Sequence, residues 1–228
     1  MMLLYVLSFA LLGLSLWASH KVKSTFAAHN QTPIRSGMSG AEAAAAILRA
    51  AGVHDVRITA VSGMLSDHYD PKQKVVALSE EVLHNRTPAA VAVAAHEVGH
   101  ALQDAHGYAP MHVRAGLVPV ASFANGLAFP LILLGIFTHA TGLIWLGIIG
   151  FGLGVLFHLV TLPVEFDASA RAIKILERSG IVASDEMPGV RKTLYAAGFT
   201  YLAGALFAIV ELLRLLAIAG VFGGSSDE

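Results

Sequence analysis

From residue 115 to residue 164 the chain carries no Asp, Glu, Lys or Arg. No other feature narrows the fold as much. At ~1.5 Å per residue, one helix of that length would far outreach the ~30 Å hydrocarbon core of a bilayer. The stretch must turn back on itself, and His139, Ala140, Thr141 and Gly142 supply the natural break. This predicts a hairpin over residues 114–162, with spans at 117–137 and 143–162. Two further apolar runs join it. Residues 1–19 hold no charge, and the first basic residues are Lys21 and Lys23. A cleaved signal peptide would open on basic residues and have a shorter apolar stretch, so this run reads as an anchor. Residues 200–222 form the fourth span and contain Glu211 and Arg214. These lie three apart on one helix face, where a mutually neutralising structural pair lowers the cost of charge in lipid. A polar tail, 223–228, follows.

Composition agrees. Hydrophobic residues make up 55% of the chain and charged ones 14%, against roughly 25% charged in an ordinary soluble domain. A net charge of −1 gives no basic field for nucleic acid. With no Cys, disulfide scaffolds and thiolate metal sites are excluded. With four spans, residues 20–113 and 163–199 face the same side. They hold every one of the 15 Lys and Arg residues except Arg114, at the edge of the hairpin, and Arg214. Lys21, Lys23, Arg114, Arg171, Arg191 and Lys192 lie near span ends, where the positive-inside rule counts them. That side is expected to be the cytoplasm, in a multi-pass protein of the cell membrane.

The polar segment reads as α+β. Ser39 and Glu42 form a capping box that opens a helix, which stops at Gly52. Residues 53–61 and 74–78 read as short strands, with a turn at Asp67, His68, Tyr69, Asp70 and Pro71 between them. Thr87 caps a helix, 88–106, that has Pro88 at its first position and ends at Gly107.

That helix carries His96, Glu97, Val98, Gly99 and His100, an H-E-x-x-H pattern. On a helix, i and i+4 lie about 40° apart, so both imidazoles can face one ion. Glu97 is then placed to hold a water rather than the metal. A hydrolytic zinc site takes three protein ligands and leaves one position open. His106 is one candidate third ligand, but Gln103 stands where a turn-permitting Gly is needed, and a continuing helix turns His106 about 100° away. The better candidate follows Pro163, where the sequence predicts a new helix running to about Arg178. Glu165 lies in its first turn, with Asp167 as the competing ligand. Two spans separate Glu165 from His100, and an even number returns the chain to the same side.

At these residues the chain resembles the YugP-type neutral zinc metallopeptidases of bacterial membranes. The matching pieces are Asp67 to Pro71, Leu78 with Ser79, Ala92 to Gln103, Leu162 to Ser169, and Ala196 to Ala203. That family is similar in turn to the glutamate-zincin membrane proteases, among them the HtpX-type and CAAX prenyl proteases. The resemblance implies four transmembrane helices with a small α+β zincin-like catalytic domain, and zinc held by His96, His100 and Glu165. In those relatives an Asp that supports a ligand stands where this chain has Ser169. A Ser hydroxyl or Asp167 can take over that support.

The expected activity is a zinc metalloendopeptidase with Glu97 as general base, acting on protein or peptide substrates that include membrane proteins. His68 and Tyr69 are candidate donors to the developing oxyanion, and they serve equally well as a turn-stabilising pair. Strand 74–78 is expected to offer a sheet edge to an extended substrate. A metal buried inside the bilayer is disfavoured, because Gln103 and Asp104 follow the motif too soon for its helix to span. The other class of function is a non-catalytic zinc-stabilised membrane scaffold or chaperone. A structural zinc site would close the fourth position with Cys or His.

Overall fold

The computed structural model describes residues 1–223. The chain is mostly helical. In order it forms α1 (Met2–His29), α2 (Gly40–Ala50), β1 (Arg57–Val61), β2 (His68–Asp70), β3 (Val75–Ser79) and α3 (Glu80–His84). Then follow α4 (Pro88–Ala105), α5 (Ala109–Phe137), α6 (Thr141–Ser179) and α7 (Met187–Gly223). Most of the expected tail 223–228 lies outside the described residues. The chain divides into two compact units. One comprises residues 1–17, 113–162 and the chain from 201 onward; the other comprises 18–112 and 163–200.

The first unit is built from the apolar parts of α1, α5, α6 and α7, each long and apolar enough to cross a membrane. It leaves large apolar side chains uncovered, among them Phe123, Leu133, Phe137 and Ile149, as lipid-facing helices do. Its inner contacts rely on small residues. A Cβ on Gly147 would come within 2.5 Å of the Ala128 carbonyl, so only glycine lets α5 and α6 approach this closely. Glu211 and Arg214 form the expected pair. Ser8 Oγ also donates to Glu211 at 3.1 Å, and the Arg214 guanidinium lies 5.1 Å from the centre of the Tyr5 ring.

In the second unit the local signals read from sequence are realised. Ser39 and Glu42 close both halves of the capping box of α2, and Gly52 leaves the helix at φ +71°. Thr87 accepts from the Ala90 amide at the start of α4, and Gly107 follows its end at φ +65°. The core joins Ile47 and Leu48 of α2, Val76 and Leu78 of β3, Val91 and Val98 of α4, and Val164 and Leu176 of α6.

Several expectations are corrected. The strand placed at 53–61 begins at Arg57, because Val53 is buried just after the α2 cap. The turn at Asp67 to Pro71 contains a strand, β2, which pairs antiparallel with β3. The strand expected to be an open edge is the centre of the sheet, in the order β1-β3-β2, with β1 parallel to it. All five of its residues are buried. Covered on both faces, such a strand shows no alternation, and its two backbone edges are already paired.

Pro163 does not start a helix. It sits inside α6, which runs unbroken from Thr141 to Ser179. Pro removes one helical hydrogen bond and crowds the preceding turn, at ~3 kcal/mol. Against this, Val164, Ala168, Ala172 and Leu176 are completely buried along one face, which holds the helix on course. Helix α1 continues beyond the span predicted at 1–19 to His29, and α7 begins at Met187, ahead of the span predicted at 200–222.

Candidate metal centre

The site lies within the second unit, where α4 meets α6. A Cβ on Gly99 would come within 2.7 Å of the Ala168 carbonyl, so α6 lies against the metal-motif face of α4 because residue 99 has no side chain. This contact brings Glu165 to the two imidazoles. Glu165 Oε2 stands 3.2 Å from His96 Nε2 and 3.6 Å from His100 Nε2. One potential ligand atom from each of the three residues lies within 4.8 Å of the others. The two rings meet edge to face, with centroids 4.7 Å apart. Donors bound to one tetrahedral zinc at ~2.0–2.1 Å stand about 3.3 Å from each other. The spacing of the carboxylate from both imidazoles therefore suits a zinc ion, and the set of two nitrogens and one oxygen suits it chemically.

The sequence model of a family described as "Putative neutral zinc metallopeptidase" matches residues 3–220. The chain belongs to this family. Of the curated relatives, "Putative membrane protease YugP" of Bacillus subtilis (strain 168) is 47% identical over 217 residues, covering 95% of this chain and 96% of that protein. No solved structure matches this chain.

In this member of the zinc metallopeptidase family, burial shapes the chemistry of the site. Glu97, next to His96 on α4, is almost wholly buried. Burial raises its carboxyl above the usual range, partly opposed by the two imidazoles and reinforced by Glu165 and Asp67. Burial pushes the other way on His100, but hydrogen bonding to Glu165 and the charge of Glu97 more than offset it and raise its imidazole.

The support left open between Ser169 and Asp167 is divided between them. Ser169 Oγ lies 3.1 Å from His96 Nδ1. Asp167 acts one step further out, through Gln103. Gln103 Nε2 donates to Asp167 Oδ2 and to the Val164 carbonyl, both at 2.8 Å, while Gln103 Oε1 lies 3.0 Å from His100 Nδ1. Arg171 in turn holds Asp167 at 2.5 Å. His106 is the C-cap of α4, beyond its last helical residue, and is not among the three grouped ligands.

His68 and Tyr69 are placed differently from each other. Tyr69 is buried, and its hydroxyl donates to Asp104 Oδ2 at 2.7 Å. Burial and that bond raise its pKa far above normal, so it remains a phenol. Lys74 Nζ meets the same Asp104 oxygen at 2.6 Å, so both sides of the β2–β3 turn are fastened to α4. His68 is exposed on β2, its Nδ1 donating to the Ser66 carbonyl at 2.9 Å. Asp67, just before β2, accepts from the Ser79 amide at 2.7 Å and from its hydroxyl at 3.0 Å. Burial raises the Asp67 carboxyl, while the Ser79 bonds oppose that.

Sequence reasoning missed Gln103, Asp104 and Asp67 as parts of this framework. A signal existed for Gln103, which lies seven residues after His96 and three after His100 and so shares their helix face.

Proposed function

We propose that this chain is a membrane-bound zinc metalloendopeptidase that hydrolyses peptide bonds in membrane-associated proteins, with His96, His100 and Glu165 as ligands. The observation that carries the reading is the convergence of those three donors beside the buried Glu97. Bound there, zinc would make a water nucleophilic near neutral pH and polarise the scissile carbonyl. Glu97 removes the proton of the attacking water and delivers it to the departing amine. Burial favours this role, because a carboxyl raised above its usual range is a stronger proton acceptor. The second unit then reads as a zincin-like catalytic domain.

His68 and Tyr69 divide the remaining work. Tyr69 anchors β2 through Asp104 and leaves His68 facing outward. With Nδ1–H committed to Ser66, His68 can donate to an oxyanion from Nε2 only as an imidazolium. Because β3 is paired on both sides, an extended substrate has only the outer edges of β1 and β2 open to it within this sheet.

The basic residues near the span ends support a cytoplasmic site at the cell membrane. The deciding experiment is hydrolysis of casein, and self-cleavage, by detergent-purified protein with and without chelator. The wild type should be active and lose activity to chelator, while Glu97→Gln should keep its zinc and lose at least ~10²-fold in rate. A Glu97→Gln variant with full proteolysis would overturn the assignment.

A further inference from the structure

We infer that Gln103 is a positioning residue that dictates which ring nitrogen of His100 faces the metal, with Asp167 and Arg171 locking Gln103 in turn. The inference rests on the metal-centre reading and deepens it.

The argument is one of donors and acceptors. Gln103 has one face against the Val164 carbonyl and Asp167 Oδ2, each 2.8 Å away. A peptide carbonyl can only accept, and Asp167 is a carboxylate already taking a bond from Arg171 Nε. The group placed between them must therefore be the amide NH2, with both its hydrogens used. The amide oxygen is forced to the opposite side, 3.0 Å from His100 Nδ1. That oxygen can only accept, so Nδ1 carries the hydrogen. In the neutral ring that metal binding requires, His100 Nε2 is left with its lone pair, and this is the atom 3.6 Å from Glu165 Oε2. Gln103 is 0% exposed, so no bulk water stands in for any of these bonds.

The outer end of the chain is fixed as well. The Arg171 guanidinium lies 5.7 Å from the centre of the Tyr108 ring, and the Tyr108 amide donates to the Gln103 carbonyl at 2.9 Å. His96 has a different partner at the same ring position. Its Nδ1 meets the Ser169 hydroxyl at 3.1 Å, and a hydroxyl donates or accepts with equal ease. The two Nδ1 atoms are therefore held differently, His100 by an oxygen that can only accept and His96 by a hydroxyl that can do either.

The test measures zinc release, not proteolysis. Zinc-loaded full-length protein in detergent is mixed with excess chelator, and release is followed for wild type, Gln103→Met and Asp167→Asn. Gln103→Met should release zinc about tenfold to a hundredfold faster, and Asp167→Asn several-fold faster (on the order of threefold to tenfold, as the more distant partner). In protein labelled with 15N at histidine, the His100 Nδ1–H signal should resist solvent exchange in wild type and in Ser169→Ala, and lose that protection in Gln103→Met. Unchanged release in both Gln103→Met and Asp167→Asn would overturn the inference, as would a zinc-loaded wild type whose His100 carries no proton on Nδ1. Should Gln103→Met lose its helical circular dichroism, Asp167→Asn and the wild-type spectrum decide on the same criteria. A wild-type chain that takes up no zinc would remove the metal-centre reading itself.

Discussion

Asp104 shows how single side chains hold the candidate catalytic helix to its sheet. Burial alone would raise its carboxyl, but the Lys74 ammonium and Tyr69 hydroxyl outweigh it and hold Asp104 below its usual value of 3.8. A carboxyl depressed in the folded state adds stability that is fully present above the unfolded value and lost as pH falls through the folded one. The advantage of wild type over Asp104→Asn in thermal unfolding should therefore persist at pH 7 and shrink as the pH is taken below 3.8. A difference that does not change with pH would rule out this ion pair as its source. At this scale the sequence was only partly legible. His96, Glu97 and His100 stood out because metal chemistry at i and i+4 leaves a compact signature. Asp104, Asp67 and the bond from Gln103 to Asp167 did not, because the partners lie 30, 12 and 64 residues apart in the chain. No local pattern encodes such pairings.

Among the elements, α4 and α6 decide whether a site exists. Gly99 is the residue that permits their contact, its missing Cβ leaving room for the Ala168 carbonyl. Gly99→Ala should leave α4 helical, since Ala is the better helix former. It should displace α6, cost about 1–3 kcal/mol through overpacking, and weaken zinc binding by separating Glu165 from the imidazoles. Zinc titration beside helical circular dichroism checks this, and undiminished affinity would mean that the contact does not position Glu165. Capping box, Thr87 cap and terminal glycines were all readable, because each acts within one helical turn. Pro163 misled for the same reason. A proline rule weighs a local penalty, while α6 is sustained by a buried face that belongs to its neighbours. The central place of β3 was equally hidden, since burial on both faces erases the alternation by which strands are recognised.

Over the whole chain, the four apolar helices were legible because lipid demands long uncharged runs, and their count sets which segments share a side. The native sequence has no Cys, so single introduced cysteines report sidedness without interference. A Cys at Thr138 should react with an impermeant thiol reagent added to intact cells. One at Asp55 should react only after the membrane is opened. The reverse pattern would place the metal centre outside the cytoplasm. Neither outcome depends on catalysis, so it tests topology alone.

The central claim is that Glu165, from far downstream, completes a zinc site begun by His96 and His100. Zinc content per chain after purification and dialysis against trace metal tests it most directly. Wild type and Glu97→Gln should each retain about one zinc, as three protein ligands remain. Glu165→Ala should retain almost none, and the same stoichiometry in Glu165→Ala as in wild type would contradict the account.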